Sequence, residues 1–369
     1  MKKLMNNNIL LSVIIPVYNT EKYLKKCLDS VADSLKNFKY TYEVIIVNDG
    51  SNGNEENIIN KYIKKNKSFF YYKKSNGGLA STKNFGIKKA RGKYLSFIDS
   101  DDYIDKNFYN EAFNDYITDK CLYDMVIYDW ETIDKKNNTE YIVEAKNKKY
   151  TDDKWGCIDV MIMPSSCNKI VKKELFNTLE FPDGYIYEDL GTTLILFCRT
   201  DKIKYINKPY YKYYLSNSSI MRRNFNEKNL QMVDIFNILF NRLDKEKNLS
   251  IDDKQKMECM TYTRRFYESL LEPISKQNFI CRYKLLKLMC KKIYIVNKKM
   301  KKNRYFIYEI CNDRKIKKFF NKLLFFCLNK NLVFFLTLLL NKKTYYKFIH
   351  IKYIDDIYLK PVTLERGIN

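Results

Sequence analysis

An α/β domain on an open, mostly parallel sheet, followed by a basic and mainly α-helical region, is the architecture this 369-residue sequence predicts. Three observations point to it. Short β-branched runs alternate with amphipathic stretches through the first ~100 residues. Polar clusters fall directly after the last apolar residue of three of those runs. The charge balance also changes along the chain: residues 1–221 hold 34 basic and 29 acidic side chains, residues 222–369 hold 33 and 14. We therefore expect the α/β domain over 1–221 and the basic helical region over 222–369.

Leu11 to Val17 is a continuous apolar run, as a strand buried on both faces of a parallel sheet requires. Thr20 to Leu35 places Tyr23, Leu24, Cys27, Leu28, Val31 and Leu35 at helical spacing. Tyr42 to Val47 is a second strand. A helix over 54–65, a short strand over 69–72, a helix over 79–90 and a strand over 93–98 follow. From 103 to 150 the periodicity weakens, and 134–149 reads as a polar hairpin or excursion. Cys157 to Met163 regains apolar content, and Pro182-Asp183-Gly184 marks a turn before an apolar helix ending near Cys198. From Phe225 onward only helical periodicity is visible, as in Met232, Ile235, Phe236, Ile238, Leu239, Phe240 and Leu243.

Composition removes several classes. With 46% hydrophobic residues, 23 Phe and 32 Tyr, the chain is not disordered. Its 10 Cys contain no CxxC pair, so a zinc ribbon is not expected. No apolar run of signal-peptide length precedes Pro16, which predicts a cytoplasmic protein with reduced thiols.

The chemistry-bearing residues follow the strands. Ligands of open α/β sheets bind beyond the carboxyl ends of the strands, where Tyr18-Asn19, Asp49-Gly50-Ser51 and Asp99-Ser100-Asp101-Asp102 are expected. Asp99 and Asp101 are close enough to repel, which a divalent cation bridging to phosphate oxygens would relieve. Asp102 reads equally as the N-cap of a helix beginning near Asp105. Asp49-Gly50-Ser51 suits a tight turn, or an acceptor for the N–H of a base. Asn76-Gly77-Gly78 suits a turn, or close approach of backbone to a ligand. Glu188-Asp189 reads either as first-turn helix acids or as a source of a general base.

Taken together, Ser12–Asn19, Val47–Ser51, Asn76–Ile87 and Ala90–Ile104 resemble the conserved segments of bacterial glycosyltransferase family 2, in order and spacing. The resemblance continues more loosely through Cys167–Phe176, Phe181–Gly184, Tyr187–Leu190, Pro209–Tyr214 and Ser218–Met221, covering about 9–221. It implies a GT-A fold and an inverting transferase using a nucleotide-sugar donor, with UDP-sugars favoured. On this resemblance Pro16, Tyr18 and Asp49 line the nucleobase pocket, and Asn76 and Lys83 serve the nucleotide and its phosphates. Asp99 and Asp101 form a DxD motif, with Asp101 binding Mn²⁺ or Mg²⁺ and Asp99 lying near ribose and metal. Asp189 is the implied base for the acceptor hydroxyl. The family usually has Arg where this chain has Lys83, which loses the planar bidentate fork.

The implied acceptor is a growing surface polysaccharide or a lipid-linked glycan. Lysine-dense stretches at 284–302 and 314–322 beside short apolar blocks fit a segment lying on an anionic membrane, so a location peripheral to the inner face of the cell membrane is expected. No block is long enough to span a bilayer. Two rival readings are a nucleic-acid-binding protein and a non-catalytic scaffold on a degenerate transferase domain. Acidic clusters at the sheet edge disfavour the first, and retention of Asp49, Asp99, Asp101 and Asp189 disfavours the second. His350, the single histidine, is expected to have no catalytic part.

Overall fold

The computed structural model describes residues 9–114, 123–133, 140–141, 164–214, 225–304, 323–324, 326–328 and 330–342. The stretch 157–163 and His350 lie outside them. The chain forms two compact units, Met1–Asn224 and Phe225–Asn369.

The first unit opens with β1 (Leu11–Val17), α1 (Glu21–Leu35), β2 (Tyr42–Asn48), α2 (Glu55–Lys65), β3 (Phe69–Lys73), α3 (Gly78–Lys89) and β4 (Tyr94–Phe97). Strands β3, β2, β1 and β4 pair in that order, all parallel. Every residue of β1 is buried, as its unbroken apolar run demands. Pro16 is tolerated inside this central strand because the β1/β4 ladder ends at Ile14↔Phe97, leaving Pro16 paired with β2 only.

Beyond β4 the sheet becomes mixed. The later elements are β5 (Tyr103–Ile104), α4 (Phe108–Ala112), β6 (Met125–Ile133), β7 (Glu140–Tyr141), β8 (Lys169–Lys172), α5 (Glu188–Cys198) and β9 (Ile203–Tyr214). The full order is β3-β2-β1-β4-β8-β6-β9-β5, with β7 hairpinned onto β6. β8 runs antiparallel to both β4 and β6, while β6 and β9 are parallel. Because β8 enters beside the carboxyl end of β4, the residues just before it are delivered to the same edge as Asp99.

At the opposite, amino end of the sheet a buried carboxylate closes the frame. Glu43 accepts from the Ser12 hydroxyl (2.7 Å), the Arg91 backbone N–H (2.6 Å) and the Arg91 guanidinium (2.7 and 3.0 Å). The turn into β4 lies so close to β1 that a Cβ on Gly92 would sit 2.5 Å from the Ser12 backbone nitrogen.

The second unit contains α6 (Gln231–Lys245), α7 (Ile251–Arg265), a π-helical turn (Phe266–Leu271), α8 (Glu272–Ser275), α9 (Phe279–Met300) and α10 (Val333–Leu339). The wide turn lies immediately before Pro273, whose missing N–H disturbs the α-helical ladder there. Of the predicted stripe on α6 all but Ile238 are buried. Tyr262, fully buried, donates to Asn297 Oδ1 at 2.6 Å and so links α7 to α9.

Gly92→Ala should destabilise the first unit by about 1–3 kcal/mol, since backbone rather than a mobile side chain must move. Thermal unfolding checks this, and an unchanged Tm would mean that the approach is not tight.

Candidate active site

Three strand ends meet at one edge. After β1, Tyr18 is 48% exposed, and Asn19 adopts a left-handed conformation (φ 51°) that short polar side chains tolerate. Asn19 N–H donates to Ser51 Oγ (3.1 Å), and Asn52 N–H donates to Asn19 Oδ1 (3.2 Å). Thr20 donates to Ser100 Oγ at 2.8 Å. The ends of β1, β2 and β4 are thus tied by short polar side chains.

Asp49 is buried and largely occupied. It accepts from the backbone N–H groups of Gly77 (2.9 Å) and Gly78 (2.8 Å) at the start of α3, and from Lys74 Nζ (2.6 Å). A carboxylate offers about four acceptor positions, so about one stays available to a ligand donor. Asn76 is exposed, and its amide donates to the Asp49 carbonyl at 3.1 Å. Gly50 (φ 75°) makes this approach feasible, because a Cβ there would lie 3.1 Å from Asn76 N.

The acidic run after β4 splits in two. Asp102 faces the protein: it accepts from Tyr211 OH (2.5 Å) and from Tyr214 N–H (2.7 Å), anchoring β9 rather than capping a helix. Asp99 and Asp101 are only half-buried. Asp99 Oδ2 accepts from the Cys167 thiol at 2.9 Å, while its Oδ1 is buried with no hydrogen-bond partner among the described residues. Burial, then the Asp99 charge, push the Asp101 carboxyl up to about 6. An orphaned carboxylate oxygen beside an acid that resists ionisation is the environment a divalent cation would relieve. No three His, Cys, Asp or Glu side chains converge among the described residues. Asp101 and Asp99 with phosphate and water oxygens match the sparse carboxylate set that Mg²⁺ uses.

The sequence reading set Lys83 near the diphosphate, but its side chain is completely buried. Nζ donates to Glu188 Oε1 (3.0 Å), Asp189 Oδ1 (2.9 Å) and Ser166 Oγ (3.0 Å). Burial opposes the charge, but Asp189, Glu188 and Asp99 outweigh it and hold the ammonium well above the usual lysine range. Asp189 Oδ2 also accepts from Ser166 N–H at 3.0 Å. Beside Lys83, the amide of Asn84 brackets the Phe181 backbone, donating to its carbonyl and accepting from its N–H, both at 2.8 Å.

Sequence reasoning missed Lys74, Asn84, Ser166, Cys167 and Tyr211. One signal was available for the Lys83 environment: with Ala80 and Gly86 it falls on the inward face of α3. A lysine there demands buried partners. Lys169 is also fully buried but has only neutral acceptors, Ser165 O and Asn168 Oδ1, and burial brings its ammonium down to about 8.

Comparison with known proteins agrees with this geometry. Residues 12–179 match the sequence profile of Glycosyl transferase family 2. Glycosyltransferase GlyG of Streptococcus pneumoniae is 32% identical over 231 residues, covering 58% of this chain and 74% of GlyG. The minor teichoic acid biosynthesis protein GgaB of Bacillus subtilis is 27% identical over 209 residues, covering 55% of this chain and 22% of GgaB. Among solved structures, S. aureus TarS 1–349 in complex with UDP-GlcNAc shares the fold with a TM-score of 0.72 at 18% identity, over 92% of each chain. The architecture is that of a GT-A glycosyltransferase. The chain belongs to glycosyltransferase family 2, and its relatives include a protein of teichoic acid biosynthesis.

Two outcomes test the site's electrostatics. Lys83→Met leaves buried Glu188 and partly buried Asp189 without their cation and should cost about 3–5 kcal/mol, with Lys83→Arg costing less. Equal unfolding curves for wild type and Lys83→Met would refute the pairing. Lys169 binds its proton less tightly folded than unfolded, so stability rises with pH between about 8 and the ordinary lysine range and levels off below about 8. The stability advantage of Lys169→Met over wild type should therefore shrink by about 1 kcal/mol between pH 8 and 9. A constant gap in denaturant titrations at the two pH values would contradict this.

Proposed function

We propose that the enzyme is a metal-dependent inverting glycosyltransferase, moving one sugar from a UDP-linked donor to a growing surface glycan or lipid-linked acceptor. In this reading it works in the cytoplasm, at the inner face of the cell membrane. The observation that carries the proposal is the chain of contacts that links Asp189 to Lys83 and Ser166, and the neighbouring Cys167 to Asp99, two residues before Asp101.

Asp49, Asn76, Tyr18 and Pro16 form the base and ribose side of the donor site in this assignment. Asp101, with Asp99, would hold Mn²⁺ or Mg²⁺, which when bound supplies charge neutralisation for the diphosphate leaving group. Asp189 takes the proton from the acceptor hydroxyl as that oxygen attacks the anomeric carbon. The carboxylate is already aimed by two donors, Lys83 Nζ and Ser166 N–H, each leaving an oxygen with spare acceptor capacity. One base with no protein nucleophile gives a single displacement and inversion. Lys83 thus acts through Asp189 as a positioning residue, in place of the phosphate contact expected from sequence.

Calorimetric titration with UDP and with GDP, with and without Mn²⁺, should show metal-dependent UDP binding that is lost in Asp101→Ala. Asp189→Asn should keep that binding and lose turnover by at least about 10²-fold, the usual scale of general-base catalysis. Preference for GDP would change the donor, and binding indifferent to both metal and Asp101 would overturn the metal assignment.

A further inference from the structure

The second unit carries a face that its own fold leaves unused. α9 contains seven Lys or Arg residues and no acidic residue, and its lysines sort by direction. Lys292 pairs with Asp234 (2.5 Å), and Lys299 pairs with Asp244 (2.9 Å) and Glu258 (2.6 Å); these join α9 to α6 and α7. Lys284, Lys287, Lys291 and Lys298 are instead exposed and have no ion pair among the described residues. They follow one another at spacings of three, four and seven residues, one stripe of the helix.

The same stripe carries large apolar side chains. Ile280, Tyr294 and Ile295 are 69%, 58% and 66% exposed. Phe279, at the head of α9, meets Phe334 of α10 edge-on with ring centroids 6.3 Å apart. α10 is anchored by buried Val333 and Leu336 but presents Phe334, Phe335 and Leu338, each more than half exposed. The result is an exposed apolar patch, uncharged on α10 and continued along α9 by lysines.

Each occupant makes a different demand on such a surface. A second copy packed about a twofold axis would set unpaired lysine stripes against one another, which is unfavourable. Single-stranded nucleic acid would stack on the aromatic rings but leave exposed Ile280, Ile295 and Leu338 in water. Anionic lipid meets both features, since headgroups take the lysines and the acyl boundary takes Phe and Leu. No helix among the described residues is long and apolar enough to cross a membrane, so the contact is interfacial.

We propose that the α9–α10 face docks on an anionic membrane surface, Phe334, Phe335 and Leu338 entering the headgroup–acyl boundary while Lys284, Lys287 and Lys291 contact the headgroups. This deepens the membrane-peripheral location proposed above and rests on it.

The full chain is sedimented with vesicles of phosphatidylcholine alone and with added phosphatidylglycerol, across a salt series. Binding should require phosphatidylglycerol and weaken with salt. The combined variant Lys284→Ser, Lys287→Ser, Lys291→Ser should lose on the order of a hundredfold in affinity, at about one lysine's contribution each. Phe334→Ser with Phe335→Ser should also weaken binding, whereas Lys61→Ser, Lys64→Ser and Lys65→Ser on α2 should not. Thermal unfolding confirms that each variant is folded. No binding, binding equal on neutral vesicles, or equal loss with the α2 variants would overturn the proposal. So would a dimer in light scattering that Phe335→Ser dissolves, or lysine-dependent retention of a single-stranded oligonucleotide without vesicle binding. UDP titration of the same samples is a separate reading, so loss of the donor assignment is distinguishable from loss of this one.

Discussion

The site is organised around a single buried ammonium. Lys83 comes from α3, Glu188 and Asp189 from the first turn of α5, and Ser166 from the segment entering β8; all three segments meet on its Nζ. Consecutive carboxylates in one place repel, and burial raises the Glu188 carboxyl, with Asp189 adding to it while Lys83 opposes. The cation and the positive end of α5 are what make the arrangement tolerable. A lysine in this position is held by geometry as much as by charge, because any shift of α3 against α5 would leave it buried and unpaired. Asn84, clasping the Phe181 backbone, limits that shift.

Topology supplies the second half of the arrangement. A purely parallel sheet would end with crossover helices returning each strand to the amino edge. Antiparallel β8 instead begins where β4 ends, which brings Ser166 and Cys167 directly to the acidic run. The run itself divides its labour. Asp102 is consumed in fastening β9 through Tyr211 and Tyr214, and this leaves Asp99 and Asp101 as the carboxylates facing the site. The three aspartates are therefore not equivalent: the Asp102 carboxylate is bound to β9, whereas among the described residues those of Asp99 and Asp101 are not.

What the sequence made legible was local. The β1 to β4 half appeared with boundaries within one or two residues, since unbroken apolar runs and helical stripes carry their own period. The positions of Asp49, Asp99 and Asp101 followed from being next after a strand. β6, β8 and β9 were not legible as strands of this sheet. Their pairing is long-range, β8 is four residues long, and β9 contains Pro209. The same limit explains Lys83: a charge is visible in sequence, but the partner that uses it is set by contacts 105 and 106 residues away.

Lysine in four environments also shows why the net charge of +24 identifies no partner by itself. Lys83 is neutralised by carboxylates and belongs to the framework of the site. Lys169 is buried against neutral oxygens, so its proton is weakly held and it adds little field outside. Lys292 and Lys299 are absorbed by acids of neighbouring helices, and only outward residues such as Lys284, Lys287 and Lys291 project charge toward an external surface. Charge that can act at a distance is the unpaired, exposed fraction, because paired charge cancels within a Debye length of about 8 Å. Where that fraction is interleaved with exposed isoleucine, tyrosine and phenylalanine, charge alone does not specify the partner. The aliphatic side chains decide between a polyanion in water and an anionic interface, since only the interface removes them from water.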